Sequence, residues 1–435
     1  MPNSFRQNFC PSPWFHMRIN NSGTYEYCRW RTKNTDSRII FENNIRTQTP
    51  LDYFQNTMAN LRVDLLNGKS PAGCADCYYM EQHGKVSGRQ RQLLKTGVQD
   101  QYFEKSLASS PLHQSFQYSN ANNGHTTRSV VDWQIDLGNY CNSACVFCSP
   151  ESSSRLATEF KQLGLIAQVP AASWCEDPVL LSKFIDDLIQ SPELQYLHFI
   201  GGETLITPGF EKILTALIDA NIAPQISIGF TTNLTVWSDT IVEKLSKFKQ
   251  VNLGMSIEAL TPVNDYVRWP SKLSGVQELL DRWVLLGKKL NWLIQLRITP
   301  TCLSVHDLTT VYEYAWNHKL AVESCNFLDN PKFLRSSVLP KEERVLATEQ
   351  LSKWIQSHAT GNVGNQIINT RDPNLSHTQI LQDATSYVSF LSNAADESQY
   401  LPELVQYLKK LELSRGNSIL TYLPQYESFF RAAGY

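Results

Sequence analysis

The sequence predicts an α/β fold: a partial (β/α)6 barrel, TIM-like in its parallel strands, preceded by a small cysteine-rich hairpin and helix region and followed by a helical cover. Three observations predict it. Six short apolar runs between positions 130 and 328 alternate with amphipathic helical patterns, a succession that implies parallel strands joined by right-handed crossovers. Seven of the ten cysteines fall into two groups, at 10–77 and 141–148. The most polar motifs stand just past the ends of the apolar runs, where such barrels gather their ligand-binding residues.

Residues 1–103 form the first region. Two short alternating runs flank Asn20-Asn21-Ser22-Gly23, a hairpin signal, and Cys10 and Cys28 bracket them. A helical pattern over 49–68 follows, and then "GCADC" presents Cys74 and Cys77. Four cysteines in two pairs can close a four-thiolate site, which on spacing alone suits zinc or an iron-sulfur cluster equally. Glu81, Ser87, Arg89 and Arg91 mark a capped, basic helix start, read as a solvated helix packing on the hairpin; arginines turned toward the barrel mouth would suit an anionic substrate. The polar, Asn- and Ser-rich stretch 104–129 reads as a linker.

The barrel region is 130–330, with strands expected at 130–138, 196–202, 226–233, 251–258, 292–300 and 320–328. Just past them stand Cys141, Cys145 and Cys148, then Gly201-Gly202-Glu203-Thr204, Thr232-Asn233 and Ser256-Ile257-Glu258. Four polar signals on one rim are what a single active site requires. Three thiolates can hold three irons of a cubane cluster and leave the fourth open; the alternatives are a zinc site completed by a distant ligand, or three reduced thiols. Residues 331–435 are turn-rich and then helical, and are expected to close the open side of the barrel and shape the substrate pocket. Cys175 and Cys302 read as buried and inert, as does Cys325, whose place near the last strand's end also makes it a candidate hydrogen donor.

The spacing Cys-x3-Cys-x2-Cys, with Phe147 before the last cysteine, resembles the signature of the radical S-adenosylmethionine (radical SAM) superfamily. Gly201-Gly202-Glu203-Thr204 resembles that family's Gly-Gly-Glu-Pro element, with threonine in place of proline. The resemblance implies a [4Fe-4S] cluster on Cys141, Cys145 and Cys148, and S-adenosylmethionine bound to its open iron. It also implies cofactor contacts at Phe147, Gly201, Gly202, Glu203, Thr204, Asn233, Ser256, Glu258 and Arg268. Glu203 would accept from the cofactor's ammonium, Ser256 and Glu258 would face its ribose or carboxylate, and Arg268 would pair its carboxylate, with a surface ion pair as the equal alternative for Arg268. Arg297, inside a strand, reads as structural. Cys10, Gly23 and Cys28, in the pattern Cys-x12-Gly-x4-Cys, together with Cys74 and Cys77 are similar to the twitch domain, the shortened form of the SPASM module. That likeness implies an auxiliary iron-sulfur cluster, with zinc as the alternative. Where the fuller module has a further cysteine this chain has His83, and the elements precede the barrel here instead of following it.

The activity so implied is reductive cleavage of S-adenosylmethionine to a 5'-deoxyadenosyl radical and hydrogen abstraction from substrate, leading to oxidative modification of a peptide or protein side chain. The alternatives are a dehydrogenase or rearranging enzyme acting on a sugar or nucleotide and, from another class, a non-catalytic iron-sulfur or zinc binding protein. Expected partners are the peptide or a small metabolite and an external electron donor such as flavodoxin or ferredoxin. A formal net charge of -2 over 435 residues gives no footprint for general nucleic-acid binding. No run approaches the roughly 18 apolar residues of a membrane span, and "MPNSFRQNFCPSPW" lacks a signal peptide's apolar core, so a cytoplasmic protein is expected.

Overall fold

The computed structural model describes residues 7–28, 43–82, 86–98, 103–324, 328, 330–359 and 376–435. His83 and Cys325 lie outside these. Among the described residues no helix is long and apolar enough to cross a membrane.

Eight strands make one sheet: β1 (His16–Ile19), β2 (Tyr25–Glu26), β3 (Asp132–Asp136), β4 (Tyr196–Ile200), β5 (Ser227–Thr232), β6 (Gln250–Ser256), β7 (Leu293–Ile298) and β8 (Ala321–Ser324). Their order is β2-β1-β3-β4-β5-β6-β7-β8. The six expected strands, β3 to β8, pair in parallel as a partial barrel does. The difference from expectation is at the edge, where β1 pairs in parallel with β3, placing His16 beside Asp132 and Ile19 beside Ile135. The hairpin signal at Asn20 to Gly23 is correct, since β1 and β2 are antiparallel around it. The hairpin extends the barrel sheet instead of standing apart, because His-Met-Arg-Ile alternates apolar and polar residues in step with β3.

Parallel strands covered on both faces usually read as continuous apolar runs. Here only one face does so. Trp133, Phe199 and Phe230 pack under helices against Phe184, Phe210 and Trp283, with ring centroids 5.2, 4.9 and 6.4 Å apart. The opposite face carries Arg18, Gln134, His198, Asn252, Arg297 and Glu323, the alternate residues of the same strands.

The longer helices are α1 (Ala59–Leu66), α2 (Ala75–Gln82), α3 (Gly88–Lys95), α4 (His113–Ala121), α5 (Ser154–Gln162), α6 (Pro178–Ile189), α7 (Pro208–Asp219), α8 (Leu273–Lys289), α9 (Leu308–His318), α10 (Lys341–His358), α11 (Ser376–Asn393) and α12 (Leu401–Arg415). Ser87 caps α3 in a capping box with Gln90. From α3, Lys95 pairs with Asp132 of β3, and Arg91 Nη1 lies 3.1 Å from Glu323 Oε1 of β8. This helix therefore lies along the polar face and reaches from β3 to β8.

The stretch 104–129 is packed, not a linker. It carries the helix Phe103–Ala108 and α4, and Leu107, Leu112 and Phe116 join Phe9, Trp14, Leu65 and Leu93 in a second apolar core. Trp14 Nε1 donates to Ser119 Oγ at 2.9 Å. Three well-spaced apolar residues suffice to bury this stretch, although its average composition is that of a loop.

Candidate active site

Beyond β3 the chain leaves the sheet at Gly138, where φ is +99°. The cysteine loop that follows has neither helix nor strand, so its backbone must find partners elsewhere. Ala144 N donates to Trp269 O at 2.7 Å and Val146 N to Val267 O at 2.8 Å, while Cys148 N turns back to Cys145 O at 3.1 Å. Two donors face Cys141 Sγ: Ser143 N at 3.4 Å and Asn233 Nδ2 at 3.9 Å. Asn233 Nδ2 is also within reach of Asn142 Oδ1 and Ser143 Oγ, at 2.9 and 3.1 Å. Asn233, at the end of β5, thus anchors the thiol loop.

Gly201 and Gly202 bring the end of β4 against this loop. A side chain at Gly202 would meet Tyr140 O at 2.2 Å, and Gly201, at φ +141°, would collide with Gly138 O at 2.5 Å. Glu203 is fully buried, and its carboxylate accepts from Asn233 N at 2.6 Å and Leu205 N at 3.1 Å. Burial nevertheless raises its pKa to about 7, against the lowering effect of those backbone donors. Glu203 therefore ties the β4 loop to the end of β5 in addition to any contact with a ligand. Thr204, also buried, opens the single turn Thr204–Ile206.

Glu258 and Arg268 form a buried pair in which Arg268 Nε and Nη2 both donate to the carboxylate, Nη2 at 3.0 Å. Thr299 N adds a further donor to Glu258 at 3.3 Å. Arg268 Nη1 points to Cys145 Sγ at 4.0 Å, and its guanidinium lies over the Phe147 ring at 5.6 Å. Arg268 thus belongs to Glu258 and the thiol loop at once. Glu258 and the neighbouring thiols hold its pKa up against burial. Ser256, half-buried at the end of β6, sits beside Arg297 of β7.

Burial pushes all three thiols up, Cys148 to about 11 with Cys141 as the next cause, and Cys145 further, opposed by Arg268. Sulfur in this setting is ready for a cation, because a bound metal reverses that penalty and ligation releases the protons.

Residues 135–290 match the sequence model of the Radical SAM superfamily. This segment is similar to a radical SAM domain. Among solved structures, native anSMEcpe with bound AdoMet is 19% identical, with a TM-score of 0.38, over 53% of this chain and 62% of its own length. Streptococcus suis SuiB bound to S-adenosylmethionine is 14% identical, with a TM-score of 0.33, over 69% and 63%. SuiB bound to the precursor peptide SuiA is 16% identical, with a TM-score of 0.34, over 56% and 52%. This chain spans between 52% and 63% of the length of these structures. No curated protein matches it significantly.

The residues of this segment fit a three-cysteine cluster. Three sulfurs lie on one loop, donors reach two of them, and one buried cation, Arg268, stands against the negative charge that ligation would bring.

The other four cysteines meet at a second site. Cys10, Cys28, Cys74 and Cys77 line one cavity with Tyr27, Leu61, Leu65, Tyr78 and Arg89. Burial raises the Cys74 thiol to about 12, with Cys77 adding to it, and Cys10 is raised by burial and then by Cys28 and Cys74. Arg89 is buried and not solvated; it pairs with Glu81 and donates to Phe9 O at 3.1 Å. Among the described residues no three His, Cys, Asp or Glu side chains already close on a single-ion geometry.

Sequence reasoning missed Tyr407 and Arg415 of α12. Tyr407 Oη donates to Val146 O at 2.7 Å and Arg415 Nη2 to Ala144 O at 2.8 Å. Contacts across more than 250 residues leave no local pattern to read.

Proposed function

We propose that the chain is a radical SAM enzyme that acts oxidatively on a peptide or protein side chain. The observation that carries the reading is the gathering of Cys141, Cys145 and Cys148 between Asn233 and the Glu258–Arg268 pair at the ends of parallel strands, inside the segment that matches the family. Cys141, Cys145 and Cys148 would hold the [4Fe-4S] cluster. When bound, such a cluster would supply the one-electron reduction of S-adenosylmethionine by which hydrogen would be taken from a substrate.

The chain's own residues do the rest. Gly201 and Gly202 let backbone approach the cysteine loop, and Asn233 fixes the orientation of Cys141. The Glu258–Arg268 pair keeps a cation beside Cys145 and over the Phe147 ring. Cys10, Cys28, Cys74 and Cys77 fit a closed four-thiolate site, proposed as an auxiliary iron-sulfur centre that takes up the electron an oxidised substrate gives away. An external one-electron donor of the flavodoxin or ferredoxin type completes the scheme.

The test is anaerobic reconstitution with iron and sulfide, followed by dithionite and S-adenosylmethionine. Formation of 5'-deoxyadenosine is expected. Zinc in place of iron on the 141–148 loop, or no cleavage by an iron-loaded protein, sinks the reading.

A further inference from the structure

We propose that α12 sets the geometry of the cysteine loop, with Tyr407 and Arg415 as its positioning residues; this rests on the cluster reading above. The two carbonyls anchored by α12, Ala144 O and Val146 O, belong to the residues on either side of Cys145. The N–H groups of the same two residues are held from the other side, by Trp269 O and Val267 O. Cys145 therefore sits between four external backbone hydrogen bonds, in a loop with no ladder of its own. Neither Ala144 nor Val146 can turn without breaking two of them.

The clamp is itself braced. The Arg415 side chain is 1% exposed, and its Nε and Nη2 donate to Glu159 of α5 at 2.9 and 2.7 Å. Its Nη1 is buried without a hydrogen-bond partner among the described residues, a donor left over beside the loop. The Arg415 guanidinium also lies over the Trp269 ring at 5.0 Å, on the segment that receives Ala144 N. One turn earlier Glu412 accepts from Tyr266 Oη at 2.8 Å, and Tyr266 stands two residues before Arg268. A single helix thus grips both halves of the site, the thiol loop and the segment that delivers Arg268. Its effect is to fix where Cys145 points relative to the Glu258–Arg268 pair, so α12 governs cofactor binding as well as covering the barrel.

Tyr407→Phe keeps the ring and removes one donor, and Arg415→Met removes the guanidinium. Leu408→Ala is the control, since Leu408 is buried on the same helix and its apolar side chain cannot hydrogen-bond the loop's carbonyls. Two measurements decide. In metal-free protein, alkylation of Cys145 by iodoacetamide, followed by mass spectrometry with buried Cys302 as internal reference, should speed up several-fold in both variants while Cys302 is unchanged. In reconstituted protein, iron content should hold, but binding of S-adenosylmethionine, read from the change it causes in the EPR spectrum of the reduced cluster, should weaken about tenfold for Arg415→Met and less for Tyr407→Phe. Wild-type alkylation rates in both variants overturn the proposal, and so does a Leu408→Ala protein that exposes Cys145 equally at matched thermal stability. A wild-type protein that takes up no iron would sink the cluster reading instead, and the alkylation arm would still decide the clamp.

Discussion

The three thiols of the 141–148 loop and the four thiols of the N-terminal cavity differ in what surrounds them. Around the first, donors arrive from four directions: Ser143 from the loop, Asn233 from the end of β5, Arg268 from the segment after β6, and α12 from the far end of the chain. Around the second, the wall is mainly apolar, with Leu61, Leu65 and Tyr27, and one buried cation, Arg89. A site that must bind, orient and release a polar ligand needs polar groups left at its rim. A site whose four positions are all protein sulfur needs only enclosure and charge balance. The contrast is that the three thiols sit in a polar setting and the four in an apolar one, as the proposed open and closed sites would require.

The widest separation between the two should come from removing one sulfur from each. Cys145→Ala is expected to abolish 5'-deoxyadenosine formation, whereas Cys74→Ala should leave it in place and cost the protein roughly four irons per chain if the second site holds a cubane. Equal loss of cleavage in both would erase the distinction. Next in size is Glu258→Gln. It leaves Arg268 buried beside the thiols without its carboxylate, and breaking such a pair costs about 3–5 kcal/mol, to be read from denaturant unfolding of the metal-free protein.

Glu203 gives a smaller effect with a defined sign. Its folded pKa, about 7, lies above the ordinary value of 4.5. The folded chain holds this proton longer, so the stability it contributes is complete below about pH 4.5 and is lost as pH rises toward 7, by about 3 kcal/mol at most. Glu203→Gln cannot ionise and should flatten that part of the stability profile. An unchanged slope between pH 4.5 and 7 would show that the backbone donors at Asn233 and Leu205, not burial, set this carboxyl.

How much of this was legible in the sequence follows the range of the interactions. The six parallel strands could be read because each carries its own apolar run, and the cysteine motif because its three cysteines lie within eight residues. Gly201 and Gly202 were legible as close-approach positions, since only glycine tolerates the carbonyls of Gly138 and Tyr140 so near. The pairing of β1 with β3 was not, because a four-residue strand has no signal that names its neighbour more than a hundred residues away. Glu258 and Arg268 were expected to face a ligand, with an ion pair as the alternative for Arg268; what escaped prediction was that the pair is buried and that its partner is Glu258. The stretch 104–129 misled because composition averages over the three residues that bury it.

The smallest expected effect separates the two possible occupants of the closed site. Tyr78 Oη donates its one proton to Asn8 O at 3.1 Å in the metal-free chain, and it stands beside Cys74, whose thiol it eases down against burial; with a metal bound, the same hydroxyl would turn to the Cys74 sulfur. Tyr78→Phe keeps the ring and removes that donor, so stability should fall by about 1 kcal/mol. A hydrogen bond to a ligating sulfur draws off negative charge and favours the reduced state of a redox cluster. With an iron-sulfur cluster on Cys10, Cys28, Cys74 and Cys77, Tyr78→Phe should therefore move its midpoint potential to a more negative value, measured by EPR-monitored titration in a Cys145→Ala background that silences the other site. Zinc has no such couple, so a site that shows the stability loss but no redox signal in either protein would be a structural metal site, and the electron acceptor for an oxidised substrate would have to lie elsewhere.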